Sequence, residues 1–199
     1  MALKLVQAGD PVLRRRTREL SPEEIRGKAV RELIEQMRET MREAPGVGLA
    51  APQIGESLRL AVIEDRAEYL RNVSADRLAL LERKVVPFHV IINPRITLGT
   101  AGEARFYEGC LSLTGFLGLV SRALDVRVDA LDENAKPIRI DAHGWYARIL
   151  QHEIDHLNGS LYIDRVYPRT LTTQENYAQF WGDKTVDEAW NELEADRAP

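Results

Sequence analysis

The chain has 199 residues, of which 44% are hydrophobic and 29% charged. That is ordinary globular composition, with enough length to bury a core, and it excludes a disordered, collagen-like or disulfide-stapled chain. Its 27 basic and 31 acidic residues leave a net charge of −4, so there is no basic surplus for direct nucleic-acid or anionic-membrane binding. The run Arg14, Arg15, Arg16 and Arg18 reads as a solvated face. A single cysteine, Cys110, cannot close an intrachain disulfide. No apolar run approaches the roughly 20 residues of a membrane span, and the opening Met-Ala-Leu-Lys-Leu-Val-Gln has neither signal-peptide nor transit character. These features lead to the expectation of a cytoplasmic protein.

Taken in chain order, residues 21–44 predict a helix. Ser21, Pro22 and Glu24 fit an N-cap, a first helical position and a capping-box partner. Val30, Leu33, Ile34, Met37 and Met41 form one apolar stripe, Gly27 weakens the first turns, and Ala44-Pro45-Gly46 stops the run. Residues 58–63 predict a strand. The charged stretch 64–87 reads as an insertion without a site, with a short exposed helix over Ser74–Lys84. A strand is expected at His89–Asn93, closed by Pro94, and another at Leu124–Leu131, which turns through Asp132–Ala135 into a partner at Ile138–Ile140. A second helix is expected over 141–158, with Asp141 as N-cap and Gly159 as stop, followed by a short strand over Leu161–Val166. The expected fold is α+β: mostly antiparallel strands packed around a central helix, with an N-terminal helix. Trp181 and Trp190 suggest that part of the tail docks on the body.

The sharpest chemical signal is His152-Glu153-Ile154-Asp155-His156. On a helix, positions i and i+4 sit one turn apart on one face, so the two imidazoles can converge on one metal ion, with Glu153 placed to handle the proton of a water. The surrounding Trp145, Ala147, Ile149, Leu150, Ile154 and Leu157 make this helix apolar on most sides. It should therefore be buried, and buried histidines need partners. A hydrolytic centre needs a third protein ligand. Spacing alone leaves Glu175 open, and Cys110, in Tyr107-Glu108-Gly109-Cys110-Leu111-Ser112-Leu113, taken alone reads first as a small buried hydrophobe. Asp155 reads either as an acceptor for a ligating imidazole or as a solvated helix position. Gly46-Val47-Gly48-Leu49-Ala50-Ala51-Pro52-Gln53-Ile54-Gly55 reads either as a tightly packed loop or as a cleft wall on which an extended peptide can pair, with Gln53 aiming an amide at a carbonyl.

Together, and in this order along the chain, Gly46–Gln53, Glu108–Ser112 and Gln151–Gly159 resemble the three signature motifs of the peptide deformylases. Gly9–Arg14 and Gly159–Arg165 add to the resemblance, which covers about residues 3–170. It implies a single catalytic domain over residues 1–170 with a tail at 171–199. It implies removal of the formyl group from the N-terminal formylmethionine of newly made polypeptides, releasing formate. Cys110, His152 and His156 would bind one divalent metal per chain; Fe2+ is the native ion the resemblance suggests, with Zn2+, Ni2+ or Co2+ as substitutes. Glu153 would be the general acid/base, and Gln53 and the Leu111 N–H would meet the oxyanion. Val47, Gly48 and Gly109 would line the substrate backbone, and Trp145, Arg148 and Ile149 the methionine pocket, with the Arg148 head group expected in solvent. Thr114-Gly115-Phe116 after the cysteine motif, the charged stretch before His89 and Gly144–Arg148 look closer to the mitochondrial-like type I subgroup. The family works on nascent chains at the ribosome, but residues 183–199 carry two basic and six acidic groups and offer no basic tail for it. The competing readings are a zinc peptidase using Glu175 and a catalytically silent metal-binding module.

Overall fold

The computed structural model describes residues 3–71 and 73–195. After a 3-10 turn at Pro11–Arg14 come helices α1 (Pro22–Arg26) and α2 (Lys28–Glu43). Next are strands β1 (Gly48–Ala50) and β2 (Leu60–Asp65), then helices α3 (Ala67–Leu70) and α4 (Ala75–Leu81). Five strands follow: β3 (Val86–Leu98), β4 (Glu103–Cys110), β5 (Leu113–Ala123), β6 (Asp125–Leu131) and β7 (Pro137–His143). Helix α5 (Gly144–Leu157) leads through β8 (Thr172–Thr173) and α6 (Gln174–Asn176) to α7 (Val186–Ala195). The strands form two antiparallel sheets, ordered β1-β2-β3-β6-β7 and β4-β5-β8.

The larger sheet is covered on both faces, as the two-residue period of its strands requires. Leu60, Val62, Val90 and Ile92 pack on the stripe of α2 formed by Val30, Ile34, Met37 and Met41. Ala61, Ile63 and Ile91 point the other way, onto Ala147, Leu150, Ile154 and Leu157 of α5. Ten of the 14 residues of α5 are buried, so the expected central helix is enclosed on most sides. The N-terminal helix starts with the expected capping box, in which Ser21 Oγ accepts from the Glu24 N–H and the Glu24 carboxylate accepts from the Ser21 N–H. Gly27 goes further than weakening the first turns: its extended backbone (ψ 153°) divides the run into α1 and α2.

Several expected elements differ from those observed. The 89–93 strand runs on to Leu98, because Pro94 sits in a register shift between Ile92 and Arg95, where no ladder N–H is needed. Asp141 is not an N-cap. It lies in β7 and takes a hydrogen bond from Arg127 Nε at 2.7 Å. The strand becomes helix only at Gly144, whose φ of +59° favours glycine. Residues 161–166 form no strand: the Asp164 carboxylate accepts the Leu161 N–H at 2.9 Å and folds the segment into a 3-10 turn, Tyr162–Asp164. The β4–β5 hairpin was not anticipated at all.

Beyond residue 171 the chain lies against the smaller sheet. Thr172 and Thr173 pair with Leu117 and Phe116, Trp190 meets the Tyr167 ring at 4.7 Å, and Ala189 is buried. Residues 196–199 of the tail lie outside the described residues. No helix among the described residues is long and apolar enough to cross a membrane.

One buried cation ties the layers together. Arg59 Nη2 donates to the Pro94 carbonyl at 2.8 Å, and Nη1 donates to Asn158 Oδ1 at 3.0 Å and the Leu157 carbonyl at 3.3 Å. This joins β3 to the C-terminus of α5. Arg59→Met is expected to leave these buried acceptors short of donors and to lower stability by about 1–3 kcal/mol, read from urea unfolding.

Candidate metal centre and cleft

Cys110 ends β4, while His152 and His156 lie one turn apart on α5. A register shift between Gly109 and Cys110 re-aims the end of the strand. The cysteine sulfur and one nitrogen from each histidine all lie within 4.8 Å of one another, and Cys110 Sγ is 3.2 Å from His156 Nε2. Among the described residues this is the group that could hold a metal ion. Glu175 is exposed on α6 and is not part of it. Around the sulfur, the Ser112 N–H donates at 3.4 Å and Gln53 Nε2 at 3.5 Å.

Gln53 is almost completely buried (1% exposed) in the 3-10 turn Ala51–Ile54. Its Oε1 accepts the Ala50 N–H at 2.8 Å, which fixes the amide so that Nε2 points toward the cysteine. Glu153 is buried as well (4% exposed), and its Oε2 meets no hydrogen-bond donor. Burial pushes its carboxyl up to about 7. Gly48 lies directly over it: a Cβ there would stand 2.2 Å from Glu153 Oε1.

Glu108 orders the centre. Its carboxylate accepts from Arg122 Nε and Nη2, each at 2.9 Å, from Arg148 Nη1 at 2.6 Å and from His152 Nδ1 at 3.1 Å. A carboxylate so placed can only accept, so His152 carries a proton on Nδ1, and the neutral ring presents its Nε2 lone pair. Burial works against the charge, yet the His152 and Arg122 hydrogen bonds hold the Glu108 carboxyl well below the usual carboxylate range. His152 itself is raised well above its ordinary value by Cys110 and Glu108 against the burial penalty, and burial pushes His156 well below its own.

Two sequence expectations are corrected here. The Arg148 head group is not in solvent. The residue is 4% exposed, and its guanidinium also donates to the carbonyls of Val120 at 3.0 Å and Ala104 at 2.6 Å. Asp155 is neither an imidazole acceptor nor solvated. It is buried and ion-paired with Arg122 and Arg165. The acceptor role sits on Glu108 instead. The signal for it was present in the sequence, a charged residue just before Gly109-Cys110, whereas nothing in the sequence singled out Arg122.

A cleft of about 510 Å³ opens onto this group. Eleven of the expected site residues line it: Gln53, Cys110, Leu111, Val47, Gly48, Gly109, Trp145, Arg148, Ile149, His152 and Glu153. His156 lies beneath, 1% exposed, with its Nδ1 buried and without a partner. Tyr107 and Gln174 line the cleft too, and the sequence reading assigned neither a role. One sulfur and two imidazoles suit zinc or iron. The bare Glu153 Oε2 and the convergence of three donors fit a small divalent cation with water beside it.

A centre of this kind defines a candidate metal-dependent hydrolase. The family model "Polypeptide deformylase" matches residues 2–171. The chain is 48% identical over 172 residues to the chloroplastic peptide deformylase 1A of Solanum lycopersicum, covering 86% of this chain and 62% of that protein. It is 47% identical over 192 residues to peptide deformylase 1 of Bifidobacterium longum, covering 96% and 85%. Among solved structures, a Synechococcus elongatus peptide deformylase in complex with actinonin superposes with a TM-score of 0.69 at 36% identity, covering 93% of this chain and 88% of that one. The chain belongs to the peptide deformylase family. It spans 62–64% of the length of the tomato and Arabidopsis thaliana relatives. The family is metal-dependent, and the Cys/His/His group is the candidate site for the ion.

Glu108→Gln removes the charge that orients His152 and leaves the buried Arg148 guanidinium without its counterion, while Arg122 keeps Asp155. Metal affinity, measured by equilibrium dialysis, is expected to fall about 10–100-fold.

Proposed function

We propose that this protein removes the formyl group from the N-terminal formylmethionine of newly made polypeptides, releasing formate and a free amine. The observation that carries the reading is the convergence of Cys110, His152 and His156 beside a buried Glu153 in one cleft. These three residues would hold a divalent cation, Fe2+ in the native protein and Zn2+, Ni2+ or Co2+ as substitutes. When bound, such an ion supplies Lewis acidity toward a carbonyl oxygen and toward water.

The chain's own residues do the rest. Glu153 takes a proton from the attacking water as its oxygen bonds to the formyl carbon, then passes it to the nitrogen as the C–N bond breaks. Gln53 Nε2 and the Leu111 N–H donate to the carbonyl oxygen as it gains charge. Gly48 and Gly109 offer unobstructed backbone to an extended peptide. Val47, Ile149, Trp145 and the aliphatic stem of Arg148 would enclose the methionine side chain. In this reading residues 1–170 are one catalytic domain, and residues 171–199 are a tail that adds to its surface. The substrates are nascent chains at the ribosome, in the cytoplasm. The subgroup in this reading is the mitochondrial-like type I, on the residues Thr114-Gly115-Phe116 and Gly144–Arg148.

The test is formate release from a formyl-Met peptide by ferrous-loaded protein. Glu153→Ala is expected to lower kcat about 10²–10⁴-fold, and wild-type protein that releases no more formate than this variant refutes the proposal. Gly48→Ala should push the Glu153 carboxylate out of place and cost about 10²-fold in kcat, with the fold retained by circular dichroism.

A further inference from the structure

Behind the cleft lies a second cavity of about 340 Å³, walled by α4, β4 and the C-terminal segment. Leu80, Leu81, Tyr177 and Val186 also line it. Two side chains, Tyr107 and Trp145, line both spaces and so stand between them. Neither is held by a hydrogen bond: Trp145 Nε1 and the Tyr107 hydroxyl are buried without partners. Packing from the far side holds them instead. The Arg83 guanidinium lies 5.2 Å from the centroid of the Trp145 ring. Arg83 is itself fixed by bonds of 2.7 and 2.9 Å to Asp65, which is fully buried. Tyr107 meets the Tyr177 ring edge-on at 4.7 Å, and the Tyr177 hydroxyl accepts from Arg77 Nη2 at 2.7 Å. The props thus come from the charged stretch 64–87, to which the sequence reading gave no site, and from the tail beyond residue 171, where the family match ends.

We infer that Trp145 and Tyr107 are a partition closing the methionine pocket against this second chamber, with Arg83 a positioning residue that sets the pocket's depth by holding the indole in place. The inference rests on the deformylase reading. In an apolar pocket, selection among unbranched side chains is a matter of length, and a back wall that cannot retreat rejects the longer ones. The cations of the chamber are engaged already, Arg77 with Tyr177 and the Gly182 carbonyl, Lys184 with Glu192. What remains suits an unbranched apolar side chain longer than methionine's at the first residue of the peptide.

The experiment compares formyl tripeptides that carry either methionine or 2-aminodecanoic acid at the first position. Trp145→Ala should raise kcat/KM for the long side chain relative to methionine by about tenfold or more. Adding Val186→Trp, which fills the chamber from its lining, should abolish that gain. Arg83→Lys keeps the charge beside Asp65 but removes the flat group from the indole. It should shift the ratio in the same direction by a smaller factor, with formyl-Met turnover retained. A folded Trp145→Ala protein with an unchanged ratio, or a gain that survives Val186→Trp, overturns the partition; if Trp145→Ala does not fold, Arg83→Lys with the wild-type ratio does so. Calorimetric Kd values for the two peptides without the formyl group give the same comparison without turnover. A wild-type protein that releases no formate therefore defeats the deformylase reading while the partition is still decided.

Discussion

The Glu108 carboxylate is the joint on which this structure turns. It belongs to β4, two of its donors come from Arg122 on β5, and two more come from Arg148 and His152 on α5. A buried carboxylate is costly unless its lone pairs are met, and here four donors meet them. The three elements can satisfy that charge only in one arrangement. That arrangement sets the distance from the end of β4, where Cys110 sits, to the face of α5 that carries the two histidines. Asp155 repeats the device one turn further along, joining Arg122 to Arg165. The candidate metal centre is therefore held from behind by charge, while the larger sheet holds α5 from its other side mainly by apolar packing.

Legibility in the sequence follows this division. Whatever depended on periodicity was readable: the stripe of α2, the strands at 60–65 and 125–131, and an α5 apolar on most sides with two imidazoles one turn apart. Most of the cleft residues were readable because three motifs named them, and Trp145, Arg148 and Ile149 because they stand on the turns before His152. The β4–β5 hairpin was not, since Gly109, Gly115 and Gly118 interrupt any alternation and only six of its 19 positions are buried. Arg148 was misread for a related reason. On a wheel it stands beside residues that face a pocket, and a charged head there suggests solvent. Only the long-range approach of Glu108 and of the Ala104 and Val120 carbonyls gives it three buried acceptors. Asp155 was ambiguous because both of its partners, Arg122 and Arg165, arrive from outside the helix.

The glycines of the first motif gain a physical reason from the structure. At Gly48 the strand passes so close to Glu153 that no side chain fits between them. The close contact shields one face of the carboxyl from water, and its burial is what raises the group toward neutrality. At Gly46 the restriction is milder, since the closest atom a Cβ would meet is the movable end of Leu111 at 2.9 Å.

The centre and the cleft behind it have different origins in the chain. Every atom that could touch a metal or a scissile bond comes from the three motifs. The Trp145 and Tyr107 wall of the cleft leans instead on Arg83 and Tyr177, and Gln174 also lines the cleft, all three in segments without a motif. Loops and termini tolerate change that a metal centre does not, because they carry few of the contacts that set its geometry. A family can thus hold one chemistry constant while it varies which side chains reach it. In this chain the part outside the motifs is not a loose appendage. Asp65, at the end of a core strand, fixes Arg83, and Arg83 lies on the ring at the back of the pocket, so that the shape of the cleft is anchored in the same sheet that supports its chemistry.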